Sequence, residues 1–141
     1  MTITCKIYLD TIEELMAKRN ISWGFLCNKH KFSYKVIHQA QEKQLMSPYK
    51  LIQLSKVLNV DYHELGDTSN VPKLFLRRLE HGFTGEDVAD AIGCSVSCFY
   101  DVEMGRSNNL EVIERANKFY DDLEDIENDY KARLLAAVMR Y

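Results

Sequence analysis

Residues 84–105 read TGEDVADAIGCSVSCFYDVEMG, and this stretch decides the fold prediction. It holds two short apolar-periodic segments, each preceded by a hydroxyl residue that favours a helix N-cap, Thr84 and Ser95. Each segment is followed by a glycine that favours a helix end, Gly93 and Gly105. The spacing therefore predicts two short helices joined by a tight turn at Gly93.

The same stretch meets the three local requirements of a helix-turn-helix. A small residue must stand where the two helices cross closely, and Ala89 follows the apolar Val88 there. The turn needs a residue that permits a sharp bend, which Gly93 supplies. The second helix needs an apolar side chain that packs back into the core, and Phe99 stands at that position.

The sequence around this stretch predicts further helices. Pro72 opens a helix that runs through Leu79 and stops at Gly82. From Leu110 to Tyr141 there is no Gly and no Pro, and apolar residues recur at steps of three and four. This pattern predicts one long amphipathic helix, or two joined by a slight kink around residues 121–122.

An apolar stripe on such a long helix has to be buried, either against its own domain or against a second copy as a short coiled coil. We favour a second copy, because a small helical module offers little surface to fold back on. The stripe residues that we assign to a dimer or partner contact are Leu123, Ile126, Tyr130, Leu134 and Val138.

The first 66 residues repeat this order of elements with weaker signals. Ser22 and Ser33 predict caps of two short helices, and Ser47-Pro48 predicts the start of another. Residues 2–8 alternate polar and apolar side chains, which fits a short strand or an ordered arm. The spacing of Thr11 and Glu14 predicts a capping box, and a short last helix covers residues 61–65.

The polar stretch 66–72 (GDTSNVP) is the best linker candidate. It divides the chain into a predicted domain at 1–66 and a second at 67–141. The fold class we predict is all-α: tandem helix-turn-helix modules with a long C-terminal amphipathic helix. Residues 1–66 carry nine Lys/Arg and six Asp/Glu, whereas residues 67–141 carry nine and fifteen. A basic first half and an acidic second half suggest different partners.

Composition excludes several classes of protein. The chain has 141 residues, of which 46% are hydrophobic, but it has no apolar run of the ~18 residues that a membrane span needs. The N-terminus lacks the basic start and long apolar core of a signal peptide. We therefore expect a cytoplasmic protein without a membrane partner.

The residue pattern indicates neither a catalytic site nor a metal site. The four cysteines are Cys5, Cys27, Cys94 and Cys98, and neither they nor the histidines have the spacing of a metal site. No nucleophile–base pair, glycine-rich phosphate loop or paired catalytic carboxylates stand out. We expect no enzyme, no cofactor and no metal.

The motif residues of the second half are Leu76, Arg77, Gly82, Thr84, Glu86, Asp87, Val88, Ala89, Ile92, Gly93, Ser95, Phe99, Glu103 and Gly105. Over about thirty residues they resemble the Cro and phage-repressor family (XRE type) of helix-turn-helix proteins, and the resemblance implies that the tandem modules are lambda-repressor-like. The first half resembles the same family with more departures. Leu26-Cys27 stand at the apolar–small pair, Ile37 is the core plug, and residues 54–65 match the closing helices. The departures are Lys31 at the turn glycine and Gln41 and Lys43 at the usual Glu and Gly.

The resemblance implies a DNA-binding role for the first half, because in this family the second helix of the motif enters the major groove. Carried over by position, the base-reading residues are Tyr34, Lys35, His38 and Gln39. The residues at phosphate-contact positions are Trp23, Lys29, Lys31, Lys43, Gln44, Tyr49 and Lys50. The implied function is a dimeric transcriptional repressor that binds a near-palindromic operator in double-stranded DNA.

The equivalent positions of the second half are Val96, Ser97, Tyr100 and Asp101. Only Arg106 adds positive charge near them, so DNA binding is disfavoured there and dimerisation or a partner contact is favoured. Two alternatives stay open. One is a protein-binding inhibitor or adaptor that reuses the fold, of the kind by which mobile elements block host defence enzymes. The other is an antitoxin-like autoregulator whose acidic half binds a toxin.

Overall fold

A computed structural model describes residues 3–139 of the chain. The contacts divide it into two compact units, Met1–Val71 and Pro72–Tyr141. The protein is mostly helical, as the sequence predicts, but it also contains a small three-stranded sheet that an all-α class does not include. Thr2 of the predicted strand segment, and Arg140 and Tyr141 of the predicted last helix, lie outside the described residues.

The first unit combines its helices with this sheet. Its elements are β1 (Cys5–Ile7), α1 (Leu9–Lys18), α2 (Trp23–His30), α3 (Tyr34–Lys43), β2 (Leu45–Met46), α4 (Pro48–Leu58), a 3₁₀ turn (Tyr62–Glu64) and β3 (Gly66–Asp67). Strand β1 lies in the centre and pairs antiparallel with β2 and with β3. Cys5 and Ile7 are buried while Lys6 between them is exposed, so the strand is the alternative that the structure contains.

Residues 66–71 of the predicted linker belong to the first unit, and Pro72 begins the second. Strand β3 pairs its backbone with β1, and a Cβ on Gly66 would lie 2.9 Å from the Lys6 carbonyl oxygen, which only glycine avoids. Asn70 then donates from Nδ2 to the Thr4 carbonyl at 2.8 Å. Because of these contacts, the first unit ends at Val71, five residues beyond the domain boundary that the sequence predicts after residue 66.

Helix α1 begins earlier than its predicted capping box. It starts at Leu9, directly after β1, and its N-cap residue Tyr8 makes no side-chain cap. The Tyr8 amide instead donates to the Leu65 carbonyl at 2.8 Å. Thr11 and Glu14 therefore stand inside the helix, where the capping box that their spacing predicts does not form.

The second unit is helical over its described residues. It consists of α5 (Lys73–His81), α6 (Gly85–Ile92), α7 (Val96–Glu103) and α8 (Leu110–Met139). Thr84 and Asp87 form a reciprocal capping box at α6, Gly93 ends α6 at φ +75°, and Ser95 caps α7. These local features match the prediction. The core residues are Val88, Ala89, Ile92, Phe99, Val102, Val112, Ala116 and Tyr120.

A buried ion pair links α5 to α7. The Arg78 guanidinium donates to both carboxylate oxygens of Glu103, from Nε at 2.7 Å and from Nη2 at 2.9 Å. Its Nη1 donates to the Phe83 carbonyl at 3.1 Å, and Glu103 is only 1% exposed. The guanidinium therefore has a partner for each of its nitrogens inside the unit.

Helix α8 is continuous, without the kink considered around residues 121–122. Its first part packs on α5, α6 and α7, and its last part extends beyond that core. Among the described residues, no helix is both long enough and apolar enough to cross a membrane.

Candidate nucleic-acid interface

Helices α2 and α3 of the first unit are joined by a tight turn of three residues, 31–33. Lys31 ends α2 in the left-handed conformation at φ 58°, the place where the second unit has Gly93. Phe32 follows and is fully buried, and its amide donates to the Leu26 carbonyl at 3.2 Å. Ser33 then caps α3 by accepting from the Val36 amide. The turn is therefore fixed at its start, centre and end.

Helix α4 supports this turn through two polar side chains. Lys50 Nζ donates to the Lys31 carbonyl at 2.9 Å, and Gln53 Nε2 donates to the His30 carbonyl at 2.9 Å. Lys50 also donates to Gln53 Oε1 at 3.1 Å and lies over the Phe32 ring. These bonds satisfy backbone carbonyls at the end of α2 that have no partner within the helix.

Lys50 was predicted to contact phosphate, and the structure gives its ammonium a structural role instead. Burial and the nearby charge of Lys31 lower the pKa of Lys50. The sequence does not predict this role of Gln53. Its acceptor, the His30 carbonyl, lies at the end of another helix, and no local sequence pattern indicates that contact.

The predicted base-reading residues lie together on the outward side of α3. Tyr34 is 81% exposed, Lys35 and His38 are exposed, and Gln39 is half-buried. The rings of Tyr34 and His38, one helical turn apart, stack at 6.0 Å between centroids. We call these four residues the α3 face. The opposite side of the helix carries the buried Ile37 and Ala40, so core packing fixes which way this face points.

Most of the predicted phosphate-contact residues lie on elements that flank the α3 face. Lys29 is exposed on α2 and Lys31 in the turn, while Lys43 is exposed at the end of α3. Gln44 follows in the left-handed conformation, and Tyr49, 61% exposed, lies in the first turn of α4. Within the described residues, no ion pair engages Lys29, Lys31, Lys35 or Lys43, so their charges face solvent.

Trp23 does not fit the phosphate role predicted for it. Its indole Nε1 is buried and has no hydrogen-bond acceptor among the described residues. The ring lines a small hollow beside Met16, Ala17 and Ile21 of the same unit. A buried N–H cannot reach a phosphate oxygen, so Trp23 packs in the unit and does not face the solvent with its donor.

Charge separates this surface from its counterpart in the second unit. Residues 29–50 contain five lysines and one glutamate, whereas residues 84–106 contain five acidic residues and one arginine. On α7, Ser97 is exposed, Val96 is half-buried and Tyr100 is 37% exposed. Asp101 lies beside a cation, with Arg106 Nη1 at 3.7 Å from its carboxylate. Glu103 is buried in its ion pair with Arg78, so Asp101 alone supplies the acidic charge that α7 presents, whereas α3 presents Lys35 and Lys43 beside Glu42.

The stripe residues predicted for dimerisation lie on the last part of α8. Leu123 is half-buried, and the other four are exposed: Ile126 by 67%, Tyr130 by 63%, Leu134 by 49% and Val138 by 70%. Among the described residues there is no group of three or more His, Cys, Asp or Glu side chains that could hold a metal ion.

Comparisons with protein-family models, with curated protein sequences and with solved structures return no match to this chain. What its surfaces bind is therefore inferred from its own residues.

Proposed function

We propose that this chain is a sequence-specific DNA-binding regulator, a transcriptional repressor that reads DNA with the α3 face of its first unit. In this proposal each unit is a helix-turn-helix module similar to those of the Cro and phage-repressor family. The observation that carries the proposal is the α3 face itself: four polar or aromatic side chains on one side of a firmly capped helix, flanked by unpaired lysines.

The chemistry of the α3 face suits base edges. The major groove admits one α-helix, and its base pairs present distinct donor and acceptor patterns there. Lys35 can donate to the guanine acceptors O6 and N7, and Gln39 can pair with the N6 and N7 of adenine. Tyr34 can contact a phosphate or the methyl group of thymine. These contacts would give sequence preference at the positions that α3 covers.

The lysines around the face suit the DNA backbone. Lys29, Lys31 and Lys43 project from three consecutive parts of the chain, so they can contact phosphates on either side of the groove. Phosphate contacts of this kind supply affinity that falls as salt rises. Helix α7 contains no lysine or arginine, and we assign it no DNA contact.

Two copies of the chain would place two α3 helices on one DNA duplex. A symmetric dimer binds half-sites about one helical turn, or a multiple of it, apart, which favours a near-palindromic operator. We propose that the copies pair through the stripe residues of α8, and that the bound protein occludes a promoter in the cytoplasm.

The test is in vitro selection from a random duplex library with the full chain at two salt concentrations. We expect an enriched near-palindrome whose binding weakens at the higher salt and is lost in Lys35→Ala/Gln39→Ala. The matched control is Ser97→Ala/Asp101→Ala at the corresponding positions of α7, which should bind as the wild type does. A circular dichroism melt of each variant confirms that it is folded.

Three outcomes would contradict the proposal. No enrichment at low salt would remove the DNA-binding function and direct attention to a protein partner of the acidic second unit. Equal loss of binding in the α7 control would show that reading is not confined to the α3 face, and full binding by Lys35→Ala/Gln39→Ala would show that this face does not read DNA.

A further inference from the structure

The apolar stripe of α8 has two parts with different surroundings. In the first part Val112, Ala116 and Tyr120 are buried against α5, α6 and α7. The same line of the helix continues at steps of three and four through the half-buried Leu123 and then through Ile126, Tyr130 and Leu134, which are exposed. An apolar stripe that is buried along one half of a helix and exposed along the other offers a binding surface to a partner.

Along this exposed part of α8, the acidic and basic side chains lie in separate segments. Residues 121–129 contain six acidic side chains and no basic one, whereas residues 131–138 contain Lys131 and Arg133 and no acidic one. Helical spacing places Glu127 and Lys131 on one flank of the stripe and Asp129 and Arg133 on the other. Asp129 Oδ2 lies 3.1 Å from Arg133 Nε on the same helix, and both side chains are largely exposed.

This sorting discriminates between the two ways in which two copies could pair. In a parallel pair, each residue lies level with the same residue of the other copy. The acidic segments of the two copies then face each other, and so do their basic side chains. In an antiparallel pair, the two-fold axis brings each flank against the same flank of the other copy. Glu127 then faces Lys131 of the other copy, and Asp129 faces Arg133 of the other copy.

The Glu127–Lys131 pairing centres the contact on residue 129 and the Asp129–Arg133 pairing centres it on residue 131, so the two lie one residue on either side of Tyr130. A centre at Tyr130 puts Ile126 opposite Leu134 of the other copy, so the apolar residues align between these two registers. We infer that two copies of this chain pair through residues 123–138 of α8 in antiparallel orientation, with the two-fold axis near Tyr130. This inference rests on the pairing of copies in the proposed function and adds its orientation; it does not require DNA binding.

Disulfide trapping of the full chain tests the orientation. The exposed and half-buried thiols are first replaced (Cys27→Ser, Cys94→Ser, Cys98→Ser), and the fully buried Cys5 is kept. In this background, Ile126→Cys and Leu134→Cys chains of different tagged mass are mixed and oxidised. We expect the mixed dimer to cross-link and neither chain to cross-link with itself. Ala132→Cys, on the opposite side of the helix, is the matched control and should cross-link with none of them.

Sedimentation equilibrium tests the charge pairing. Lys131→Glu/Arg133→Glu should weaken self-association about tenfold, because four weak surface pairs are replaced by like charges. Glu127→Lys/Asp129→Lys should weaken it similarly, and the four substitutions together should restore it. All of these positions are exposed, so the fold of the unit should not change.

Three results would overturn the inference. The first is a wild-type chain that stays monomeric at every concentration, and the second is self-cross-linking of the Ile126→Cys chain. The third is tighter association of Glu127→Lys/Asp129→Lys alone, which a parallel pair would give. None of these measurements contains DNA, so a failure here is distinct from a failure of the proposed DNA binding.

Discussion

The ammonium of Lys50 donates to the backbone carbonyl of Lys31 at 2.9 Å, across two helices of the first unit. One lysine thus anchors the turn from which another projects toward solvent. This relationship divides the basic residues of the first unit into those that hold the turn and those that are free to contact a ligand.

The salt dependence of DNA binding should distinguish these two kinds of lysine. Lys43→Gln removes an exposed charge beside the α3 face and should reduce the slope of log K against log salt by about 0.9, the share of one phosphate contact. Lys50→Met removes a turn support and should leave that slope unchanged while lowering thermal stability. Fluorescence anisotropy with the selected duplex at several salt concentrations measures both. The opposite pattern would place Lys50 at the DNA.

Lys31→Gly should stabilise the first unit. Lys31 holds φ 58°, a conformation that costs residues with a Cβ about 1 kcal/mol and glycine little. We expect the free energy of unfolding to rise by about 1 kcal/mol in urea titrations followed by Trp23 fluorescence. The control is Lys29→Gly inside α2, which should lower it by about 1 kcal/mol because glycine weakens a helix interior. A loss of stability in both variants would refute the conformational argument.

Glu103→Gln should destabilise the second unit by about 3–5 kcal/mol, because it leaves the Arg78 guanidinium buried without its counter-charge. The only tryptophan of the chain lies in the first unit. In a urea titration, the midpoint of its fluorescence transition should therefore not change, whereas part of the circular dichroism signal at 222 nm should be lost at a lower urea concentration. The double variant Arg78→Met/Glu103→Leu, which removes both charges, should recover much of the loss. Equal shifts of both signals would show that the two units unfold together.

The first unit should lose stability in alkali through Cys5. Burial and the charge of Asp67 raise the pKa of this thiol from 9.0 to about 11. The unfolded chain therefore releases the proton at a lower pH than the folded chain does. Stability from this thiol is full below pH 9 and falls by up to ~1.4 kcal/mol for each pH unit between 9 and 11. Urea titrations of Cys5→Ala should show a shallower decline than the wild type over this range, whereas the exposed Cys27→Ala should match the wild type.

Features governed by neighbouring residues were predictable from the sequence. The caps at Ser22, Ser33, Ser47 and Ser95 form as expected, since a hydroxyl and an amide three residues later lie close in any helix start. The side of α3 that faces out was predictable for the same reason, because its apolar positions repeat with the helix period.

Features that depend on distant residues were not predictable. Strands β2 and β3 have two residues each and carry no periodic signal; only their pairing with β1 defines them. The hollow that the half-buried Trp23 lines is formed partly by α1, and the partner of Lys50 lies nineteen positions away. The functional use of the α3 face is a prediction that awaits the DNA selection.

The central place of β1 in its sheet affects the order in which the first unit can fold during synthesis. β1 leaves the ribosome first, but one neighbour follows only after α3 and the other only at Gly66–Asp67. Helices α2 and α3 can form early from local bonds, whereas the sheet stays open until the end of the unit has emerged. A nascent chain therefore carries its α3 residues long before it carries a closed domain, and a message truncated before Gly66 would yield a helical fragment in which one edge of β1 lacks its partner β3, prone to association.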